Sequence, residues 1–135
     1  MKTSLLLSFA AVFFAAAAAS AETRDLGAMT PEAALAYMKQ TENLVIVDVA
    51  TKSWYAKDHF PGAVNIPIEE ISAAEAEAMY RALPTGRPVL LHCRLGMIVP
   101  GAYDKVKALR PDIPEIGYIA GKPPFAGFRE QAGKR

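Results

Sequence analysis

The sequence is poor in the residues from which many site types are built. It holds one cysteine, Cys93, in 135 residues. That excludes an internal disulfide and any mechanism that needs a resolving cysteine in the same chain. The two histidines, His59 and His92, do not share ligand spacing with that cysteine. No metal and no cofactor is therefore expected. No sign of charge dominates: 15 Lys and Arg stand against 14 Asp and Glu. This balance gives no support to nucleic acid or an acidic membrane surface as a partner. No apolar run reaches the roughly 20 residues needed to span a bilayer. There are no internal repeats, and no low-complexity stretch beyond the alanine-rich N-terminus.

That N-terminus reads as a targeting segment. Lys2 supplies a positive start, Leu5 to Ala18 an apolar stretch, and Ala19-Ser20-Ala21 a small-x-small cleavage pattern. Residues 1–21 are thus expected to be a signal peptide, with no membrane association after its removal. No cysteine follows for a lipid anchor. Residues 22–30 are polar and expected to form a flexible arm. Residues 31–131 are of a size for one domain with a single core.

Within that domain the residues converge on Val89 to Val106. Val89-Leu90-Leu91 leads into His92 and Cys93, a short loop from Arg94 to Val99 follows, and a helix is expected to open at Pro100. This order puts Cys93 at the carboxyl end of a strand and beside a helix N-terminus, where unpaired N–H groups favour an anion. A thiolate held there is a usable nucleophile. Arg94 adds a charge that does not titrate away. The plainer alternative is a cysteine that is only a buried apolar residue.

The rest of the chain alternates strands and helices. Thr30-Pro31-Glu32 predicts a helix start, with Ala34, Leu35 and Met38 facing inward. Leu44 to Asp48 predicts a strand covered on both faces. Lys52 to Asp58 is a short helix, Ala63 to Ile66 a short strand, and Ser72 with Glu75 a capping box for the next helix. Pro100 to Leu109 is a helix and Ile116 to Ile119 the last strand, with a turn or helix around Phe125 and Phe128. Such alternation predicts a three-layer α/β fold, a mostly parallel sheet with helices on both faces. Ligands bind such sheets at the carboxyl ends of the strands, where Cys93 and Asp48 lie.

Two stretches carry a family resemblance. VIVDVATKSWYAKDHFPGAVNIP, containing Asp48, Trp54, Tyr55, His59, Pro61, Gly62, Ala63, Asn65 and Pro67, is similar to the first conserved element of rhodanese-like domains. PVLLHCRLG, with Cys93-Arg94-Leu95-Gly96-Met97-Ile98, resembles the family's Cys-Arg-x-Gly active loop. The likeness covers roughly residues 31 to 130, and export as a single domain resembles the small periplasmic members of bacteria. It implies a sulfurtransferase whose Cys93 attacks a small anionic sulfur donor such as thiosulfate and holds a persulfide. A thiol or cyanide acceptor then takes the sulfur. The loop from Arg94 through Leu95, Gly96, Met97 and Ile98 to Val99 is the implied anion cradle, with Asp48 and His59 in supporting roles. A ring of loop N–H groups can stabilise such anions without a metal.

The loop departs from the usual pattern. Ile98 and Val99 stand where many active members are polar or basic, Leu95 where Ser or Lys is common, and Ala50 where the strand-end arginine is usual. One loop cation, Arg94, thus replaces the two often found in thiosulfate-preferring members. A second reading follows: a catalytically weak or inactive module that binds a sulfur compound or partner protein through an apolar loop. Leu95, Met97, Ile98, Phe125 and Phe128 would then form an exposed patch. His92-Cys93 also begins a Cys-x5-Arg phosphatase loop, but that chemistry needs an arginine at position 99 to grip phosphoryl oxygens. His92, on the opposite side of a regular strand from Cys93, is expected to be packed or hydrogen-bonded. His59 is expected to fix the Pro61-Gly62 turn, and Trp54 and Tyr55 to lie in the core.

Overall fold

The computed structural model describes residues 10–12 and 22–134. The segment expected to be a signal peptide therefore lies, apart from residues 10–12, outside the described residues. The elements run β1 (Arg24–Met29), α1 (Pro31–Gln40), β2 (Val45–Asp48), α2 (Lys52–Lys57), β3 (Val64–Asn65), α3 (Ala73–Arg81), β4 (Val89–His92), α4 (Val99–Leu109), β5 (Glu115–Ile119) and α5 (Phe125–Ala132). All strand pairs are parallel, in the order β1-β5-β4-β2-β3. The expected three-layer α/β fold is the one observed.

Local chemistry accounts for most of the elements. VIVD of β2 and VLLH of β4 are buried along their whole length, as central parallel strands must be. They pair in register from Val45 with Val89 to Asp48 with His92. Side-chain caps start three helices. Thr30 Oγ1 accepts from the Ala33 amide at 3.1 Å, Thr51 Oγ1 from Trp54, and Ser72 with Glu75 closes the expected capping box. Each such cap stabilises its helix by about 1 kcal/mol.

The two faces of the sheet carry separate cores. On one, α3 and α4 bring Tyr80, Leu83, Ala102 and Val106 down on Val47, Leu91 and Cys93. On the other, Ala34, Phe60, Leu90 and Ile119 pack with Tyr55 of α2 and Phe125 and Phe128 of α5.

The arm expected over residues 22–30 is instead mostly strand. Residues 24–29 form β1 and lie along β5, from Arg24 against Glu115 to Met29 against Ile119. Arg24 N–H donates to the Pro114 carbonyl and Ala120 N–H to that of Met29, both at 2.8 Å. A register shift between Asp25 and Gly27 accommodates Gly27 at φ +66°, where the Asp25 carboxylate accepts the Gly27 amide. RDLGAM has little strand character of its own. Its partner lies some ninety residues away, so the pairing is not readable locally. Two helix boundaries shift by one residue: α2 ends at Lys57 with Asp58 as its C-cap, and α4 opens at Val99, before Pro100.

Candidate active site

β2 and β4 are neighbours, yet the chain leaves them toward opposite faces. After β2 it passes to α2, whose Tyr55 packs on the Phe60 side, and after β4 to α4, which packs on the Leu91 side. A crevice must open between two such strand ends, and ligands of α/β sheets settle there. Asp48 and Cys93 border a cleft of about 370 Å³ at this point.

The loop after Cys93 is shaped by a glycine. Gly96 has φ +80°, a conformation that costs other residues about 1–2 kcal/mol. A Cβ on it would stand 2.3 Å from the Gly121 nitrogen, so the loop lies backbone against backbone on the segment after β5. In this conformation the Gly96 N–H donates to Cys93 Sγ at 3.1 Å. Among the described residues, no protein group accepts the amides of Arg94, Leu95, Met97 or Ile98. α4 begins behind them with Ile98 at the N-cap and no side-chain cap. Cys93 is 2% exposed and joins the core beneath α3 and α4. It thus meets an apolar floor on one side and the Gly96 amide hydrogen on the other.

The predicted loop residues divide three ways. Arg94 and Leu95 line the main cleft and also a smaller one of about 220 Å³, which likewise reaches Cys93. Met97, 81% exposed, and Ile98 line the smaller cleft only. Val99 turns away: its side chain is fully buried in the core, so of the expected cradle it contributes backbone alone. The position where a phosphatase carries its arginine thus faces hydrocarbon.

Asp48 is buried, and its Oδ1 accepts the Ala50 amide at 3.0 Å. Asn65 Nδ2 holds the carbonyls of both Asp48 and Ala50 at 2.9 Å. Together they fix the turn that launches α2. His59 stacks on Tyr55 with ring centroids 3.9 Å apart and donates from Nδ1 to the Tyr55 carbonyl at 2.6 Å. Tyr55 in turn donates to the Ala63 carbonyl at 2.7 Å, across the Pro61-Gly62 turn.

His92 shares the Asp48 side of the sheet, packed edge-on against Phe60 and Phe125. Burial holds its imidazole below the ordinary histidine range, against a smaller upward pull from Asp48 and the Cys93 carbonyl. Its Nδ1 donates to that carbonyl at 3.3 Å, while Nε2 has no hydrogen-bond partner among the described residues and lies 3.7 Å from Asp48 Oδ2. A neutral ring at that distance is not an ion pair.

Two expectations fail here. Trp54 is not core: α2 is a six-residue surface helix with no buried residue, and the indole stands 37% exposed between the two clefts. The Arg94 guanidinium lies 3.6 Å from its ring centroid and Lys57 Nζ 4.3 Å. Phe125 and Phe128 do not extend an exposed loop patch; both tilt onto Phe60, with centroids 4.7 and 5.3 Å away. The α5 helix turns them toward the second core.

Sequence reasoning missed Lys57 and Lys122, which also line the main cleft. The spacing of Lys57 three residues after Trp54 on a helix could have suggested the first. Nothing local marks Lys122, which is delivered by the contact between Gly96 and Gly121.

Comparison with known proteins agrees with this geometry. The family model for the rhodanese-like domain matches residues 30–121. An uncharacterized 16.5 kDa protein of Synechococcus elongatus is 31% identical over 68 residues, half of this chain. The match spans 45% of that relative's length. Among solved structures, a rhodanese-related protein from Thermoplasma volcanium superposes with a TM-score of 0.55 at 14% identity, covering 77% of this chain and 91% of that one. A single-domain sulfurtransferase of Saccharomyces cerevisiae does so with a TM-score of 0.51 at 14% identity, over 79% and 91%. At such identities the superpositions speak for the fold, whereas the family model covers most of the domain and both motifs. The chain belongs to the rhodanese-like domain family.

Proposed function

We propose that the protein is an exported sulfurtransferase that carries sulfane sulfur on Cys93. The observation that carries this reading is the Gly96 N–H aimed at Cys93 Sγ, 3.1 Å away, at the crevice between β2 and β4. The Cys93 thiolate attacks the outer sulfur of thiosulfate. The new Cys93 S–S bond forms as the donor's S–S bond breaks, and its electron pair leaves with sulfite. Both sides of this step carry three negative charges, so no oxidant, proton or metal is required. A thiolate or cyanide then attacks the outer persulfide sulfur, and the Cys93 thiolate returns. Every species at the sulfur is anionic, and fixed N–H dipoles in a partly water-excluded loop stabilise such charge without reorganising.

The test is intact mass after incubation with thiosulfate or an organic persulfide. One added sulfur atom is expected, absent in Cys93→Ala and removed by cyanide or a thiol. Failure of every donor to add sulfur would overturn the proposal. It would favour the binding-module reading, for which the 44% and 81% exposure of Leu95 and Met97 speaks.

A further inference from the structure

The active loop has a single cation, Arg94, but the cleft above it has three. Lys57 reaches it from the last turn of α2, and Lys122 from the segment that Gly121 presses against the loop. Among the described residues neither lysine forms an ion pair or donates a hydrogen bond, and nor does Arg94. The acids bordering the same cleft are engaged elsewhere. Asp58 takes both of its oxygens to Arg129, at 2.9 and 3.0 Å, and Asp48 is buried on the Ala50 amide. Three unpaired cations around one opening, against the single unpaired carboxyl of Asp48, make a net positive site for a small dianion. Trp54 orients two of them, since Arg94 and Lys57 both stand against its ring.

We infer that Lys57 and Lys122 grip the sulfonate end of the sulfur donor, supplying from outside the loop the charge that Leu95 and Ile98 do not. This deepens the sulfurtransferase reading and rests on it. The donor's SO3 group lies among Lys57, Lys122 and Arg94 with its outer sulfur toward Cys93 Sγ. Sulfite is left in the same place when the S–S bond breaks. The smaller cleft, which Trp54 and Cys93 also line, has Glu69, Met97 and Ile98 around it and no lysine. An acceptor thiol approaching through it does not depend on the two lysines.

Trp54 is the sole tryptophan of the sequence, so its fluorescence reads the main cleft directly. Thiosulfate and sulfite are titrated into Cys93→Ser protein, which cannot form the persulfide. A saturable change is expected, with the midpoint raised roughly threefold to tenfold by Lys57→Ala and by Lys122→Ala, and further by the pair. Lys57→Arg and Lys122→Arg keep the midpoint close to the parent's, and Lys39→Ala, on exposed α1, leaves it in place. With Cys93 intact, the KM for thiosulfate rises in the same order while the KM for the acceptor does not. Unchanged midpoints and unchanged thiosulfate KM in the double lysine variant would overturn the inference even if Cys93 still takes up sulfur. Absence of any sulfur uptake overturns the sulfurtransferase reading instead, and the titration still reports whether the lysines hold the anion.

Discussion

The two ends of α4 are finished in opposite ways. At its C-terminus Arg110, 6% exposed, folds back over the end of α3. Its guanidinium donates to the carbonyls of Tyr80, Arg81, Leu83 and Pro84 and grips both oxygens of Asp112 at 2.7 and 2.8 Å. At the N-terminus Ile98 offers no side-chain cap, and among the described residues the amides of Arg94, Leu95, Met97 and Ile98 find no protein acceptor. Arg94 there is exposed and stacked on an indole rather than paired. One arginine satisfies the backbone, while the other stands ready for a charge the chain does not supply. A helix end left open beside Cys93 forgoes local stability and leaves the positive end of its dipole uncapped, where an anion is favoured.

The contrast breaks most visibly if each arginine is removed in turn. Arg110→Ala leaves buried carbonyls without donors and should cost about 3 kcal/mol, seen as a lower midpoint in urea unfolding. Sulfur uptake per folded molecule should change little. Arg94→Ala should cost less than about 1 kcal/mol of stability. It should slow persulfide formation roughly tenfold, the equivalent of about 1.4 kcal/mol on the barrier. Equal losses of stability in the two variants would remove the distinction between the ends.

A sharper version uses two glycines within six residues of each other. Gly96→Ala places a methyl group 2.3 Å from the Gly121 nitrogen at a positive φ, and the backbone on both sides has nowhere to go. A loss of about 2–3 kcal/mol is expected, together with loss of most persulfide formation as the amide leaves Sγ. Gly101→Ala, inside α4, meets nothing within 4 Å and should stabilise the protein by about 0.5–1 kcal/mol with activity retained. Thermal unfolding and sulfur uptake on the same samples separate the two.

Much of this architecture is legible in the chain because it is set locally. Buried runs such as VIVD and VLLH can only be central strands, and the Thr30, Thr51 and Ser72 caps are written in short-range hydrogen bonds. Cys93 and its glycine loop are legible for the same reason. What escaped depends on distant partners. β1 exists because β5 offers an edge, Lys122 reaches the cleft because two glycines touch, and Trp54 is exposed because α2 turns Tyr55 toward the second core instead. Arg110 escaped as well. Its partners lie on the preceding helix, and no spacing within α4 points to them.

The smallest effect concerns pH. The Arg110 guanidinium beside Asp112 holds its carboxyl below the usual carboxylate value of 3.8. A carboxyl depressed in the folded chain stabilises it fully while both states are ionised. As pH falls through 3.8 the unfolded chain takes the proton first, so the contribution shrinks and vanishes once the folded carboxyl is protonated too. His92 acts in the same direction but from a higher pH. Its ring is held below 6.5 by burial, so the unfolded chain gains a proton first as pH drops past that value. Asp112→Asn isolates the C-terminal lock from this background. Asp112 has a 40% exposed side chain, so the difference from the parent should stay below about 1 kcal/mol near neutral pH. It should shrink as pH falls below 3.8 and vanish once the folded carboxyl is protonated as well. Urea unfolding of both proteins across that range measures it, and a difference that persists undiminished in acid would mean that Arg110 depends on the carbonyls of α3 rather than on the charge of Asp112.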